Sequence, residues 1–288
     1  MSSDPRSAVA DGSARYVLVT GEAGAARLRL LHAVYGRSTE TLLAELGLAP
    51  GMTVADVGCG TGTVSRWLAE AVGSTGRVVG VDVSPAQLEV ARRDAQRLGL
   101  TQLRFECADA YDTRLPRASF DIVYCRFLLC HLEQPDRALA EMRALLKPNG
   151  ALVCDDVDVA SIFADPPSPA VERMRDLMLA VGASRGVDFR LGIRLHRLFR
   201  SIGLPDPRVR LDQPVYATGE EKRTWEYTFL EAAPAMIHAG LLTPAELDRL
   251  SRELAAVARD QTIMVAQARK VQVWARAPGS QPRHGPRG

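Results

Sequence analysis

Three glycines on alternate positions, Gly58, Gly60 and Gly62, stand behind an acid, Asp56, and a second acid, Asp82, follows downstream. Glycines at such a turn let the backbone bend and let a ligand come close to main-chain N–H groups. A carboxylate about 20 residues beyond a glycine turn is where a nucleotide-binding βαβ unit holds a ribose hydroxyl, and Asp82 falls there. The dinucleotide-binding turn reads G-x-G-x-x-G and faces a pyrophosphate with a helix N-terminus. Here the spacing is G-x-G-x-G, Asp56 precedes it, and no basic residue lies within it. An acid at that place suits a ligand carrying positive charge rather than phosphate.

The elements that must position these residues are legible on either side. Val54 to Val57 is a short apolar run that reads as a buried strand. Val64, Trp67, Leu68, Ala71 and Val72 recur at three- and four-residue steps and predict a helix after the turn. Arg77 to Asp82 is a second apolar run ending in an acid, so Asp82 caps the second strand. Ser84-Pro85 then opens a helix, with Ser84 as N-cap and Pro85 at the first helical position.

Asp56-Val57-Gly58-Cys59-Gly60-Thr61-Gly62 with Asp82 resembles the class I S-adenosylmethionine (SAM)-dependent methyltransferases. The nearest look-alikes are small-molecule enzymes of the ubiquinone/menaquinone type and of bacterial natural-product pathways. The resemblance implies an α/β fold: a Rossmann-like, seven-stranded, mostly parallel sheet with helices on both faces, an antiparallel last strand and a helical lid. It implies a cofactor site made by Asp56, Gly58, Cys59, Gly60 and Gly62 in the turn and by Asp82 and Val83 after the second strand. Gln87, in the first turn of the next helix, is either a cofactor contact or a solvated side chain. Asp109 and Ala110, after a third strand over Gln102 to Cys107, match an acid that receives the adenine amine and a backbone N–H over the ring. Leu115-Pro116 and Ser119-Phe120-Asp121 precede a fourth strand, Ile122 to Cys125, as in the family. Arg126 follows it, where the resembling enzymes bring backbone close to the methionine part of the cofactor. Tyr16 is a candidate lid residue over the cofactor, or simple packing. Lys147-Pro148-Asn149-Gly150 departs from the usual Lys-Pro-Gly-Gly, but Asn tolerates positive φ.

Two residues are candidates for the transfer step. His131 lies near the expected cleft mouth, and its side chain titrates near neutrality, which suits a general base; packing or capping under the site is the alternative. Asp155-Asp156-Val157-Asp158 ends the fifth strand, Ala151 to Cys154, where open α/β sheets bind ligands. Asp156 there, or its neighbour Asp155, orients a substrate hydroxyl or amine or acts as base, or else these are solvated loop acids. No metal is expected, because no complementary His or acid motif stands near these carboxylates. Tyr124-Cys125-Arg126-Phe127 stands where enzymes acting on nucleic-acid amines often carry Asn-Pro-Pro-Tyr, which lowers that reading.

Composition narrows the rest. The 288 residues are 47% hydrophobic, enough for one large α/β domain with an elaboration. Thirty-six basic and 34 acidic residues give a net charge of +2, so no global field argues for nucleic acid or a membrane surface. No apolar run reaches about 18 residues and the N-terminus lacks a signal-peptide core. Cys59, Cys107, Cys125, Cys130 and Cys154 are an odd number without a C-x-x-C pair, and they read as small core residues in a reducing cytoplasm.

The expected organisation is an N-terminal lid segment over 1–36, a SAM-binding core over 37–156 and a helical cap insertion over 157–190. A core helix and strand over 191–216, a second helical cap over 217–260, the last core strand within 261–276 and a disordered tail over 277–288 complete it. Within these, short helices are expected over 25–35, 39–48 and 190–202. The expected activity is transfer of the SAM methyl group to an O, N or C nucleophile of a small molecule, a bacterial secondary metabolite, by a monomer or homodimer. A SAM-binding protein without transfer activity, a cyclase or partner-binding module, is the alternative. An NAD(P)-dependent oxidoreductase is a further one, and the glycine spacing argues against it.

Overall fold

The computed structural model describes residues 22–279. The first half of the chain reads α1 (Glu22–Glu45), β1 (Thr53–Val57), α2 (Thr63–Val72), β2 (Arg77–Asp82), α3 (Pro85–Arg97), β3 (Leu103–Cys107), β4 (Phe120–Arg126), α4 (Pro135–Leu145) and β5 (Leu146–Asp158). The second half adds β6 (Phe163–Asp165), α5 (Pro169–Ser184), α6 (Leu195–Ser201), β7 (Arg208–Asp212), β8 (Val215–Tyr216), α7 (Thr224–His238), α8 (Pro244–Arg259), β9 (Met264–Ala266) and β10 (Arg269–Arg276).

Seven strands form the main sheet in the order β3-β2-β1-β4-β5-β10-β7. Neighbours from β3 to β5 are parallel, and β10 runs antiparallel to both β5 and β7. This is the Rossmann-like sheet expected from the sequence. Val54 to Val57 and Val78 to Val81 are buried, as strands covered by helices on both faces require. The chain winds outward from β1 to β3 and then returns to β4 on the other side of β1. That reversal opens a crevice at the carboxyl ends of β1 and β4.

Local signals in the sequence set the helix starts. Ser84 Oγ accepts from the Gln87 N–H at 3.4 Å, with Pro85 following it. Thr243 Oγ1 accepts from the Glu246 N–H at 3.1 Å ahead of α8. Asn149 takes φ 64°, the left-handed conformation its turn needs.

The structure departs from the sequence reading in four places. Residues 25–48 do not make two short helices; α1 is one helix of 24 residues. Asp155 to Asp158 belong to β5, not to a loop after it, and Asp155 and Asp156 are fully buried. Residues 190–202 divide into a 3-10 turn, Leu191–Arg194, and the short α6. Residues 261–276 hold two strands, of which β9 joins a small sheet ordered β6-β9-β8. That sheet lies with α5, α7 and α8, which pack on one another, and α1 packs on α7.

The continuity of α1 has a tertiary cause. Tyr35, Leu42 and Leu43 are buried, and the Tyr35 hydroxyl donates to the Ala268 carbonyl at 2.7 Å. Lys270 of β10, also fully buried, donates to the Tyr35 carbonyl at 2.9 Å and to Thr39 Oγ1 at 3.0 Å. Its ammonium lies 3.3 Å from Asp155, whose carboxylate also accepts from Thr39 at 2.7 Å, Tyr124 at 3.0 Å and Gln272 at 3.1 Å. A buried ion pair with every neighbour hydrogen-bonded thus clips α1 across β4, β5 and β10.

Candidate active site

A cleft of about 600 Å³ opens at the carboxyl ends of β1, β2, β3 and β4. Its floor is the glycine turn, and α1, α5 and α7 contribute to its far side through Leu28, Met178 and Trp225. Gly58, Gly60 and Gly62 take φ of 74°, 54° and 72°. The N–H groups of Gly58 and Cys59 both donate to the Val81 carbonyl, at 2.7 and 3.0 Å, which ties the turn to β2. A Cβ on Gly58 would lie 2.9 Å from Leu128 Cδ1, so the glycine admits the chain that follows β4. A Cβ on Gly62 would lie 2.8 Å from Phe105 Cζ. Gly62 therefore serves the packing of α2 on the sheet, and it does not line the cleft.

The two acids of the sequence pattern face the cleft from adjacent strands. Asp82 Oδ2 accepts from the Gly60 N–H at 2.8 Å and Oδ1 from the Ser84 N–H at 2.9 Å. Each oxygen keeps a further acceptor position. Burial raises the Asp82 carboxyl above its ordinary value, while the Ser84 and Gly60 N–H groups oppose the rise. Asp56 accepts from Ser65 Oγ at 2.5 Å, and burial pushes its carboxyl up to about 6. Val83, Gln87, Asp109 and Ala110 line the same half of the cleft. Gln87 is buried and its Oε1 has no hydrogen-bond partner among the described residues. Asp109 Oδ1 accepts from the Tyr111 N–H at 2.9 Å, which fixes the loop after β3.

Arg126 also lines the cleft, and its Nη1 is buried without a partner among the described residues. His32, on α1, also has a buried Nδ1 without a partner among the described residues, though it is not one of the residues lining the cleft. Burial, then the charges of Arg126 and Arg66, lower the His32 imidazole to about 4. The cleft is thus lined by two acids, Asp56 and Asp82, and by Arg126, whose charge bears on Asp56.

His131 lines the cleft from the 3-10 turn Leu129–His131, with its ring edge-on to Phe189 at 5.2 Å between centroids. Burial, helped by the charge of Arg27, lowers the imidazole to about 3. His131 is therefore neutral at physiological pH and a weak base. Asp156 is not in the cleft. Its Oδ2 accepts from the Cys130 N–H at 3.1 Å and its Oδ1 from the Val157 N–H at 2.8 Å, so it holds the turn that carries His131. Tyr16 lies outside the described residues. Arg27 was not singled out from the sequence, yet it lines the cleft and donates through Nε to Glu231 of α7 at 2.6 Å. Its signal was its place on the stripe Arg27, Leu31, Tyr35, where a charge sits among residues that the core buries.

Residues 54–150, which hold the glycine turn and both acids, match the family described as "Methyltransferase domain". That stretch of the chain is similar to methyltransferase domains. Methyltransferase GfsG of Streptomyces halstedii is 36% identical over 137 residues, covering 47% of this chain and 49% of that protein. A demethylmenaquinone methyltransferase of Oceanobacillus iheyensis is 38% identical over 110 residues, covering 38% of this chain and 46% of that one. The chain thus spans about half the length, or less, of the curated relatives it matches. The crystal structure of a cyclase, SpnF, shares the fold at a TM-score of 0.53 and 20% identity, over 90% of this chain and 96% of that one.

The cleft suits SAM by its donor set. Asp82 offers two acceptor positions to a vicinal diol, Asp56 offers an acid to a cationic centre, and Arg126 holds an unmet donor for a carboxylate. A pyrophosphate finds no cation on the glycine turn. Among the described residues no group of three His, Cys, Asp or Glu side chains stands together as a metal site, and no helix is long and apolar enough to cross a membrane.

Proposed function

We propose that this protein transfers the methyl group of SAM to a nucleophile of a small molecule. SAM supplies an activated methyl group on a sulfonium centre. The observation that carries the reading is that two acids, Asp56 and Asp82, line one cleft with Arg126, whose Nη1 has no hydrogen-bond partner among the described residues, at a glycine turn that contains no basic residue. In this reading Asp82 holds the ribose diol. Asp56 faces the positive charge, Arg126 meets the carboxylate, and Gln87, Asp109 and Ala110 lie along the base.

The rest of the chain's task is to align the acceptor and keep water out. Leu28, Leu31, Phe127, Met178 and Phe189 supply an apolar wall over the glycine turn. His131, neutral and wedged against Phe189, orients an acceptor group by hydrogen bonding, and Asp156 positions it through the turn's backbone. The sequence similarity to GfsG and to a menaquinone-pathway enzyme supports a small-molecule acceptor, with secondary metabolism as its setting. Five free cysteines support a cytoplasmic location. Calorimetric titration with S-adenosylhomocysteine, with NADH as the control, tests the reading. Micromolar binding of the first and none of the second is expected. No binding of S-adenosylhomocysteine, even with candidate acceptors present, would overturn it.

A further inference from the structure

Arg27 is a cation built into an apolar roof. Its side chain is 3% exposed, and Glu231 pairs with it from α7. The pair fixes the guanidinium from one side only. Nη2 is buried and has no hydrogen-bond partner among the described residues. Around it the cleft wall is Leu28, Leu31, Phe127, Phe189 and Trp225. A donor left unmet in such surroundings is costly unless something in the cleft receives it.

The groups nearby say what that something is. His131 lines the same cleft, and burial, with the charge of Arg27 as a smaller cause, keeps its imidazole neutral. A cation and a neutral imidazole facing one cavity suit a hydroxyl: its oxygen receives from the guanidinium, and its proton points at the ring. Glu133 and Arg185 line the cleft on the segments that follow His131 and α5. The acids Asp56, Asp82 and Asp109 belong to the cofactor half with Arg126. An amine is a poor match. Guanidinium has donors only, so a bond to an amine would occupy the one lone pair that must attack. An ionised oxygen has lone pairs to spare.

We propose that Arg27 selects the acceptor by binding a hydroxyl oxygen through Nη2 and favouring its ionised form, so that the acceptor is an acidic hydroxyl, a phenol or enol, on an otherwise apolar molecule. This rests on the methyl-transfer reading above. In the transfer, the hydroxyl proton leaves to water. An oxygen lone pair then forms the O–CH3 bond as the CH3–S bond breaks, and that bond's electron pair stays on sulfur and removes its positive charge. Arg27 is a specificity-determining residue in this scheme, and Glu231 is its positioning residue.

The test needs no turnover. The protein saturated with S-adenosylhomocysteine is titrated with 4-nitrophenol, and the phenolate absorbance is followed against pH. The bound phenol is expected to ionise about 1–3 pH units below its free value, as a group does beside a buried guanidinium. Arg27→Gln is expected to return most of that shift. Glu231→Gln, which keeps the cation and removes its counter-ion, is expected to keep the shift or deepen it. An unshifted or raised pKa in the parent protein overturns the inference. So does failure of 4-nitrophenol to bind the loaded protein, or a loss of shift in Glu231→Gln equal to that in Arg27→Gln. If S-adenosylhomocysteine binds and the phenol is unshifted, only this inference falls; if S-adenosylhomocysteine does not bind, the underlying methyl-transfer reading falls as well.

Discussion

Replacing Asp82 by Ala is the sharpest probe of the cofactor site, because the structure accounts for each of its carboxylate positions. A carboxylate has about four acceptor sites. Two are taken by the Gly60 and Ser84 N–H groups at 2.8 and 2.9 Å, which leaves one on each oxygen for a ribose diol. A hydrogen bond to a charged group contributes about 1.5–3 kcal/mol, so losing two costs about 3–6 kcal/mol. At about 1.4 kcal/mol per tenfold, Asp82→Ala should weaken S-adenosylhomocysteine binding by roughly a hundredfold to ten-thousandfold. Asp82→Asn keeps the shape and one carbonyl oxygen but turns the other acceptor into a donor. It forfeits one of the two ribose bonds, so its loss should be roughly tenfold to a hundredfold. Calorimetry on the two variants and the parent gives the three dissociation constants, and circular dichroism establishes that the fold is intact. A fully folded Asp82→Ala protein that binds S-adenosylhomocysteine within about threefold of the parent would refute the ribose role, since 1.4 kcal/mol per tenfold leaves no room for two lost bonds.

Two further outcomes follow from buried charge. The folded protein raises Asp56 to about 6, above the unfolded carboxylate, so its contribution to stability is full below the unfolded value and is lost as pH rises through about 6. Asp156, also raised to about 6 by burial, changes in the same direction. A cationic ligand favours ionised Asp56, so SAM affinity should rise up to about tenfold per pH unit below pH 6 and level off above it. The melting-temperature gain from SAM should then be larger at pH 7 than at pH 5, and Asp56→Asn should flatten both trends; a pH-independent gain in the parent would count against the assignment. Lys270→Met leaves Asp155 buried without its cation, at a cost of about 3–5 kcal/mol. At about 2–4 °C per kcal/mol the melting temperature should fall by roughly 6–20 °C. Adding Asp155→Asn should recover much of the loss, and a double variant no more stable than Lys270→Met would show that the charge pair is not what the site depends on.

The parts legible in the sequence were those set by neighbours in the chain. The glycine turn, the acids at the ends of β1 and β2, and the Ser84-Pro85 cap depend on spacings of a few residues, and spacing is what a sequence displays. What stayed hidden depends on partners far along the chain. Gly36 and the polar stretch Arg37 to Thr41 suggest a break between two short helices. Lys270, more than 200 positions away, holds Tyr35 and Thr39 in one helix. Asp155 looked like a ligand-binding or solvated acid for the same reason: its cation is on another strand. The sheet β6-β9-β8 is built from strands of two and three residues, too short to show a period, and β6 and β9 find each other across about a hundred residues.

The place of β10 bears on how such a chain acquires its shape during synthesis. It follows every other described element, yet it lies between β5 and β7 and carries the lysine that clips α1. Until it emerges from the ribosome, β5 and β7 have no common neighbour and their inner edges are open to other strands. Helix α1 waits for a segment more than 200 residues further along before these buried hydrogen bonds can form. Non-local pairing of this kind is slow to nucleate and exposed to misassociation meanwhile. A nascent chain stalled before Arg269 should therefore hold its glycine turn in place while Tyr35 and Thr39 of α1 lack their bonds to Lys270. The clip on α1 is therefore set only once β10 has been made.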